Sequence, residues 1–178
     1  MTENILSEIK KRISIRFPFV VPLEWSFQNS SLKVLAQSDN MSLHGMLVLS
    51  PVPYPDYNKV ADANKVADTN NQSSIVIHIL GSSPDIVGLP PLYGRVVWMR
   101  QEKSSPTLNY SLGVEFQNPE QKVLLLLVEY AIVQLTNKIE KNPDDLWLYR
   151  FRGDVKKAKG DIYGAVEDYT KAEKLKKY

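Results

Sequence analysis

YGRVVWMRQ (93–101) and LNYSLGVEF (108–116) read as the two arms of a β-hairpin, joined through the polar run QEKSSPT. Both arms mix β-branched and aromatic residues, and Gly94 and Gly113 interrupt them. Upstream the texture repeats. SIVIHIL (74–80), GMLVLSP (45–51), SLKVLAQS (31–38) and FVVPLEWSF (19–27) are short, apolar and separated by polar turns such as Gln28-Asn29-Ser30. About six strands with short connections and no intervening helices predict a closed or nearly closed antiparallel β-barrel rather than βαβ units.

Helical patterning flanks this β region. Ile5, Leu6, Ile9 and Ile13 recur at helical spacing, which predicts a short amphipathic helix over residues 3–13, with Pro18 and Pro22 favouring extended chain after it. From Asn118-Pro119 onward Leu124, Val128, Ala131, Leu135 and Ile139 mark one face of a helix, widened by Leu127 and Ile132. Asn142-Pro143 ends it. Two more helices, over residues 144–158 and 162–176, meet at Lys159-Gly160-Asp161 as a hairpin with a glycine corner. The expected organisation is a barrel domain over 1–141 with its N-terminal and closing helices, then a helical hairpin over 142–178.

Residues 52–74 are polar and carry a tandem repeat, NKVADA (58–63) and NKVADT (64–69), the mark of an inserted surface loop. Asp62 and Asp68 lack the alternating oxygen ligands and the glycine of a calcium loop.

The 178 residues suffice for a core without staples, and 43% hydrophobic with 24% charged residues is a globular composition. Cysteine is absent, which excludes disulfides, thiol catalysis and cysteine metal sites. His44 and His78 are too few for a histidine-rich metal centre. A net charge of +2 argues against a general DNA or RNA binder. Residues 141–178 carry a net of +3 and the rest −1, and between Phe17 and Gly94 the basic residues are Lys33, Lys59 and Lys65 alone. No secretory signal or bilayer-length apolar run stands out, so the expectation is a cytoplasmic protein without membrane insertion.

Against that background one constellation carries chemistry. Arg12 and Arg16 form R-x-x-x-R, and Asn40, Ser42 and Gly45 form N-x-S-x-x-G, placed as a turn between two strands. GRVVW (94–98) and LGVEF (112–116) follow near the barrel's end. In this order the motifs resemble the PilZ domain family over residues 10–140, with 52–74 as an insertion. The resemblance implies a six-stranded barrel that binds cyclic di-GMP, with Arg12, Arg16, Asn40, Ser42 and Gly45 as the ligand-binding residues and no cofactor or catalytic set. The family often has Asp where this chain has Asn40.

Residue chemistry agrees with that implication. Arginine forks onto phosphate oxygens or guanine O6/N7 and stacks on purine faces. An Asn amide can meet a guanine edge, and a glycine admits close backbone approach. None of these roles makes or breaks bonds, so the implied protein is a receptor and not an enzyme.

The C-terminal hairpin resembles a single tetratricopeptide repeat at Tyr149, Gly153, Gly160, Ala165, Tyr169 and Ala172, departing from it at Arg152, Lys156 and Lys177. One repeat cannot bury its own face. The partners implied are therefore cyclic di-GMP and a protein engaged through the C-terminal helices, with a homodimer also open. The alternative function is a nucleotide-independent PilZ-like adaptor for motility, pilus or polysaccharide machinery. Trp25, Trp98 and Trp147 are expected in packing roles, as is His78 among Ile75, Ile77 and Ile79.

Overall fold

The computed structural model describes residues 15–28, 30–54, 74–81, 86–101, 107 and 109–176. The expected helix over 3–13, Arg12, and most of the 52–74 insertion lie outside the described residues. The described residues form seven strands, then three helices: β1 (Phe17–Pro18), β2 (Pro22–Phe27), β3 (Lys33–Ser42), β4 (Gly45–Ser50), β5 (Ser74–Ile79), β6 (Leu92–Gln101), β7 (Tyr110–Phe116), α1 (Gln121–Lys141), α2 (Leu146–Lys159) and α3 (Ile162–Leu175). The chain divides into two compact units, residues 19–41 with 45–123, and the start of the chain to Pro18 with 42–44 and 124–178. Each is treated in turn.

The first unit is built on a sheet that closes on itself. Strands run in the order β3-β2-β5-β6-β7-β4, and β4 pairs back onto β3. The result is a six-stranded antiparallel barrel, as the strand texture predicts, with the two-residue β1 outside the ring. Closure leaves the six strands without a free edge. Alternation explains the interior: Leu23 and Trp25 of β2, Ile75 and Ile77 of β5, Met46 and Val48 of β4, and Leu112 and Val114 of β7 are all buried. Full burial of each such aliphatic side chain contributes about 1.5–3 kcal/mol relative to exposure.

Registers are set by those rows. Trp25 stands opposite Ile77, and Val48 opposite Leu112. β6 and β7 keep register from Gly94–Phe116 to Val96–Val114, then slip by one residue so that Trp98 faces Gly113. This bulge at Val97 returns Met99 to the position opposite the buried Leu112. It also turns Trp98 outward, 39% exposed, with its indole laid where a Gly113 side chain would be. Trp25 takes the core role expected of it. It is 1% exposed, its Nε1 donates to Ser50 Oγ at 3.3 Å, and Phe27 and Tyr54 pack around it.

The second unit is helical. α1 buries Leu124, Leu127, Val128, Ala131, Leu135 and Ile139, the predicted face. Ile139 packs with Tyr149 of α2 and Ala172 of α3. Asp145 caps α2 by accepting the Trp147 N–H at 2.9 Å, and Asp161 caps α3 by accepting the Gly164 N–H at 2.9 Å. Between them Gly160 adopts φ 93°, the left-handed corner that favours glycine. Trp147 departs from expectation. It sits in the first turn of α2 and is 56% exposed rather than packed.

Candidate functional site

Asn40, Ser42 and Gly45 come together along the β3–β4 hairpin, but not as a turn. Asn40 and Ser42 belong to β3, Gly45 opens β4, and only Leu43 and His44 connect them. The strand continues because Met41 has an interior slot to fill, and it is completely buried. Ser42 is itself buried, and its Oγ accepts the His44 N–H at 3.3 Å, tying the two-residue connection.

Gly45 needs to be glycine for a reason within the barrel. It stands opposite Glu115 of β7, and an added Cβ would lie 2.1 Å from the Val114 carbonyl oxygen. The close backbone approach that the motif suggests is therefore made to the neighbouring strand.

Asn40 is held from one side only. Its Nδ2 donates to the Asp39 carboxylate at 2.8 Å. Its Oδ1 is shielded from solvent and has no hydrogen-bond partner among the described residues. Such an orphaned acceptor costs about 1–3 kcal/mol, and any donor reaching it recovers that cost.

Two residues that sequence reasoning passed over prepare this strand. Ser38 is completely buried, and its Oγ accepts the Val21 N–H at 3.0 Å while its own N–H donates to the Val21 carbonyl at 3.0 Å. One position on, the Asp39 carbonyl accepts the Phe19 N–H at 3.0 Å. The segment 19–21 is thereby stitched to the part of β3 that leads into Asn40. A serine at an inward strand position carries no distinctive sequence signal, so Ser38 was not legible. Asp39 was visible only as the neighbour of Asn40.

Arg16 lies just ahead of the buried Phe17 and is exposed. Among the described residues no carboxylate pairs with its guanidinium. Arg12 lies outside the described residues. His78 is half-buried on β5, opposite Glu24 of β2. Among the described residues no group of three or more His, Asp or Glu could hold a metal ion, and no helix is long and apolar enough to cross a membrane.

The helical hairpin holds a second constellation. Asp168 of α3 is buried and receives Arg152 Nε at 2.9 Å, Arg152 Nη2 at 2.6 Å and Lys156 Nζ at 2.9 Å. Arg152 Nη1 also donates to Thr136 of α1 at 3.1 Å. Arg152 and Lys156 are two of the positions at which the sequence departs from the repeat it resembles. A charged cluster replaces the usual apolar packing, and Asp168 is the partner that one-residue inspection missed. Gly153 allows the Tyr169 ring to lie on α2, since a Cβ there would come within 2.6 Å of it. The Tyr169 hydroxyl donates to Asp154 at 2.8 Å.

No family profile matches the chain, and no curated protein matches it. Several solved structures are similar. One is the inhibitor of motility MotI/DgrA of Bacillus subtilis, at 16% identity and a TM-score of 0.47, over 72% of this chain and 52% of that one. The PilZ domain of YcgR from Escherichia coli, solved with c-di-GMP, is similar at 14% identity and a TM-score of 0.48, over 76% and 98% of the two chains. PlzA of Borreliella burgdorferi, solved in complex with c-di-GMP, is similar at 14% identity and 0.46, over 69% and 52%. The chain spans about half the length of MotI/DgrA and of PlzA.

Proposed function

We propose that this protein is a non-enzymatic cyclic di-GMP receptor that passes nucleotide binding on to a protein partner in the cytoplasm. The observation that carries the reading is the Asn40 Oδ1, an acceptor with no donor on the strand that bears the N-x-S-x-x-G motif. A guanine edge offers N1–H and N2–H donors, which suit an amide oxygen. The exposed guanidinium of Arg16 supplies the other half, a fork for phosphate oxygens or for guanine O6/N7.

In this reading Arg12 joins Arg16 in holding the dianion, and Ser42 and Gly45 keep the hairpin in shape beneath it. Binding brings the two arginines onto the ligand, and the altered surface is what the partner detects. Calorimetric titration with cyclic di-GMP tests the proposal. Wild-type protein is expected to give a saturable heat that Arg16→Ala removes. Heat that persists unchanged in Arg16→Ala discards this site.

A second reading, a PilZ-like adaptor that works without nucleotide, is favoured by the exposed Trp147 and by Tyr163 of α3, which is 90% exposed. A partner captured equally with and without cyclic di-GMP supports it.

A further inference from the structure

The α2–α3 hairpin has a flank that it leaves open. Trp147 and Phe151 pack with tilted rings, their centroids 6.3 Å apart on α2, and Arg150 lies 5.4 Å above the Trp147 ring. On α3 the stripe Ile162, Val166, Tyr169 follows helical spacing, and Ile162 and Val166 are more than half exposed. A cleft of about 490 Å³ lies against this flank, lined by Trp147 and Phe151 of α2 and Tyr169 of α3, and its charged walls are Arg150, Lys157, Asp154 and Glu173. Those charges cancel, which disfavours a strongly acidic or basic occupant.

Arg150 and Asp154 stand four residues apart on one exposed helix, yet they do not pair with each other. Asp154 instead accepts the Tyr169 hydroxyl through Oδ1, and Arg150 turns onto Trp147. Their order has a symmetric consequence. If a second α2 lies antiparallel on this flank, with a two-fold axis at the level of Arg152, Arg150 faces Asp154 of the other copy. The same operator sets Trp147 against Lys157, because both pairs are equidistant from Arg152. Each contact then occurs twice, as an isologous interface requires. Two ion pairs and two aromatic–cation contacts would surround a centre of Phe151 and Tyr169.

We propose that this flank is a homodimer interface, and that the occupant of the α2–α3 cleft is the same flank of a second copy of this chain. The proposal gives the hairpin's protein partner an identity. It rests on the hairpin being a protein-binding surface and not on nucleotide binding, so its test is run without nucleotide.

Sedimentation equilibrium of the full chain provides that test. Wild-type protein is expected to be dimeric at about 100 μM, a concentration that fills a micromolar interface. Arg150→Asp and Asp154→Arg are each expected to sediment as monomers, and an equimolar mixture of the two to recover the dimer mass. Arg150 is exposed, so Arg150→Asp leaves the hairpin packing intact, and far-UV circular dichroism confirms it. A monomeric wild type overturns the proposal, and so does an Arg150→Asp protein that stays dimeric. Failure of both leaves the calorimetric result for cyclic di-GMP untouched.

Discussion

Asp168 gives both of its carboxylate oxygens to Arg152, at 2.9 Å from Nε and 2.6 Å from Nη2. Lys156 adds a third contact at 2.9 Å, and the Asp168 side chain is only 4% exposed. Burial works to raise the Asp168 pKa. The hydrogen bonds from Arg152 and Lys156, helped by their charges, outweigh burial and hold it below the ordinary carboxylate value. A folded-state pKa below the unfolded one stabilises the protein above the unfolded value of about 3.9. That contribution fades as pH falls through the depressed folded value.

Asp168→Asn should therefore do two things. It leaves two cations facing an amide, and should destabilise the helical unit by about 2–4 kcal/mol at neutral pH. It should also flatten the acid limb of stability below about pH 4. Urea melts followed by far-UV circular dichroism, repeated from neutral to acid pH, measure both. An acid limb as steep as wild type would mean another carboxylate controls it.

At the alkaline end Tyr169 contributes a titration of its own. Burial pushes its phenol up to about 12, and the hydrogen bond to Asp154 adds to the effect. The folded value lies above the unfolded value of about 10, so this contribution is complete below pH 10 and is lost as pH rises toward 12. Tyr169→Phe keeps the ring on Gly153 but has no proton to lose. Its stability should be nearly level across that window where wild type declines. Thermal melts at stepped alkaline pH decide the matter.

Gly45→Ala should damage the barrel rather than a ligand contact alone. The new Cβ would sit 2.1 Å from the Val114 carbonyl oxygen, and backbone cannot yield as a side-chain tip can. A loss of about 1–3 kcal/mol is expected, with the β4–β7 register disturbed. Amide exchange at Met46 and Val114 should rise together. A variant as stable as wild type that fails only in nucleotide titration would return Gly45 to the ligand-facing role the motif suggests.

The strands were legible where burial alternates. Ile75 and Ile77, or Leu23 and Trp25, announce an inward face through their spacing alone. The bulge at Val97 was hidden, because an apolar run reads the same in either register, and the slip shows only once Gly113 is opposite Trp98. The third strand runs four residues past the expected end at Ser38, since polar Asp39, Asn40 and Ser42 look like a turn, whereas the buried Met41 keeps them in the strand. Trp147 was read as packing because size favours burial, but its place on α2 puts it on the open flank. Arg152 and Lys156 were noticed as exceptions to a repeat. Their meaning needed Asp168, which lies on the other helix of the hairpin.

Asn40 gives the most pointed test of the barrel motif, because an aspartate at this position is common in the resembling family. Here Asn40 Nδ2 donates to the Asp39 carboxylate at 2.8 Å. Asn40→Asp replaces that donor with an acceptor and sets two carboxylates side by side. The barrel should lose about 1–2 kcal/mol at neutral pH, through the broken hydrogen bond and like-charge repulsion. The loss should shrink at acid pH, where one carboxyl protonates and can donate to the other. Asp39→Asn combined with Asn40→Asp restores an amide beside a carboxylate, and should recover most of the stability. Denaturant melts of the two variants at neutral and acid pH check this pairing. If Asn40→Asp alone matches wild type at neutral pH, then Asp39 does not hold Asn40, and the orientation that leaves Oδ1 without a donor has to come from another contact.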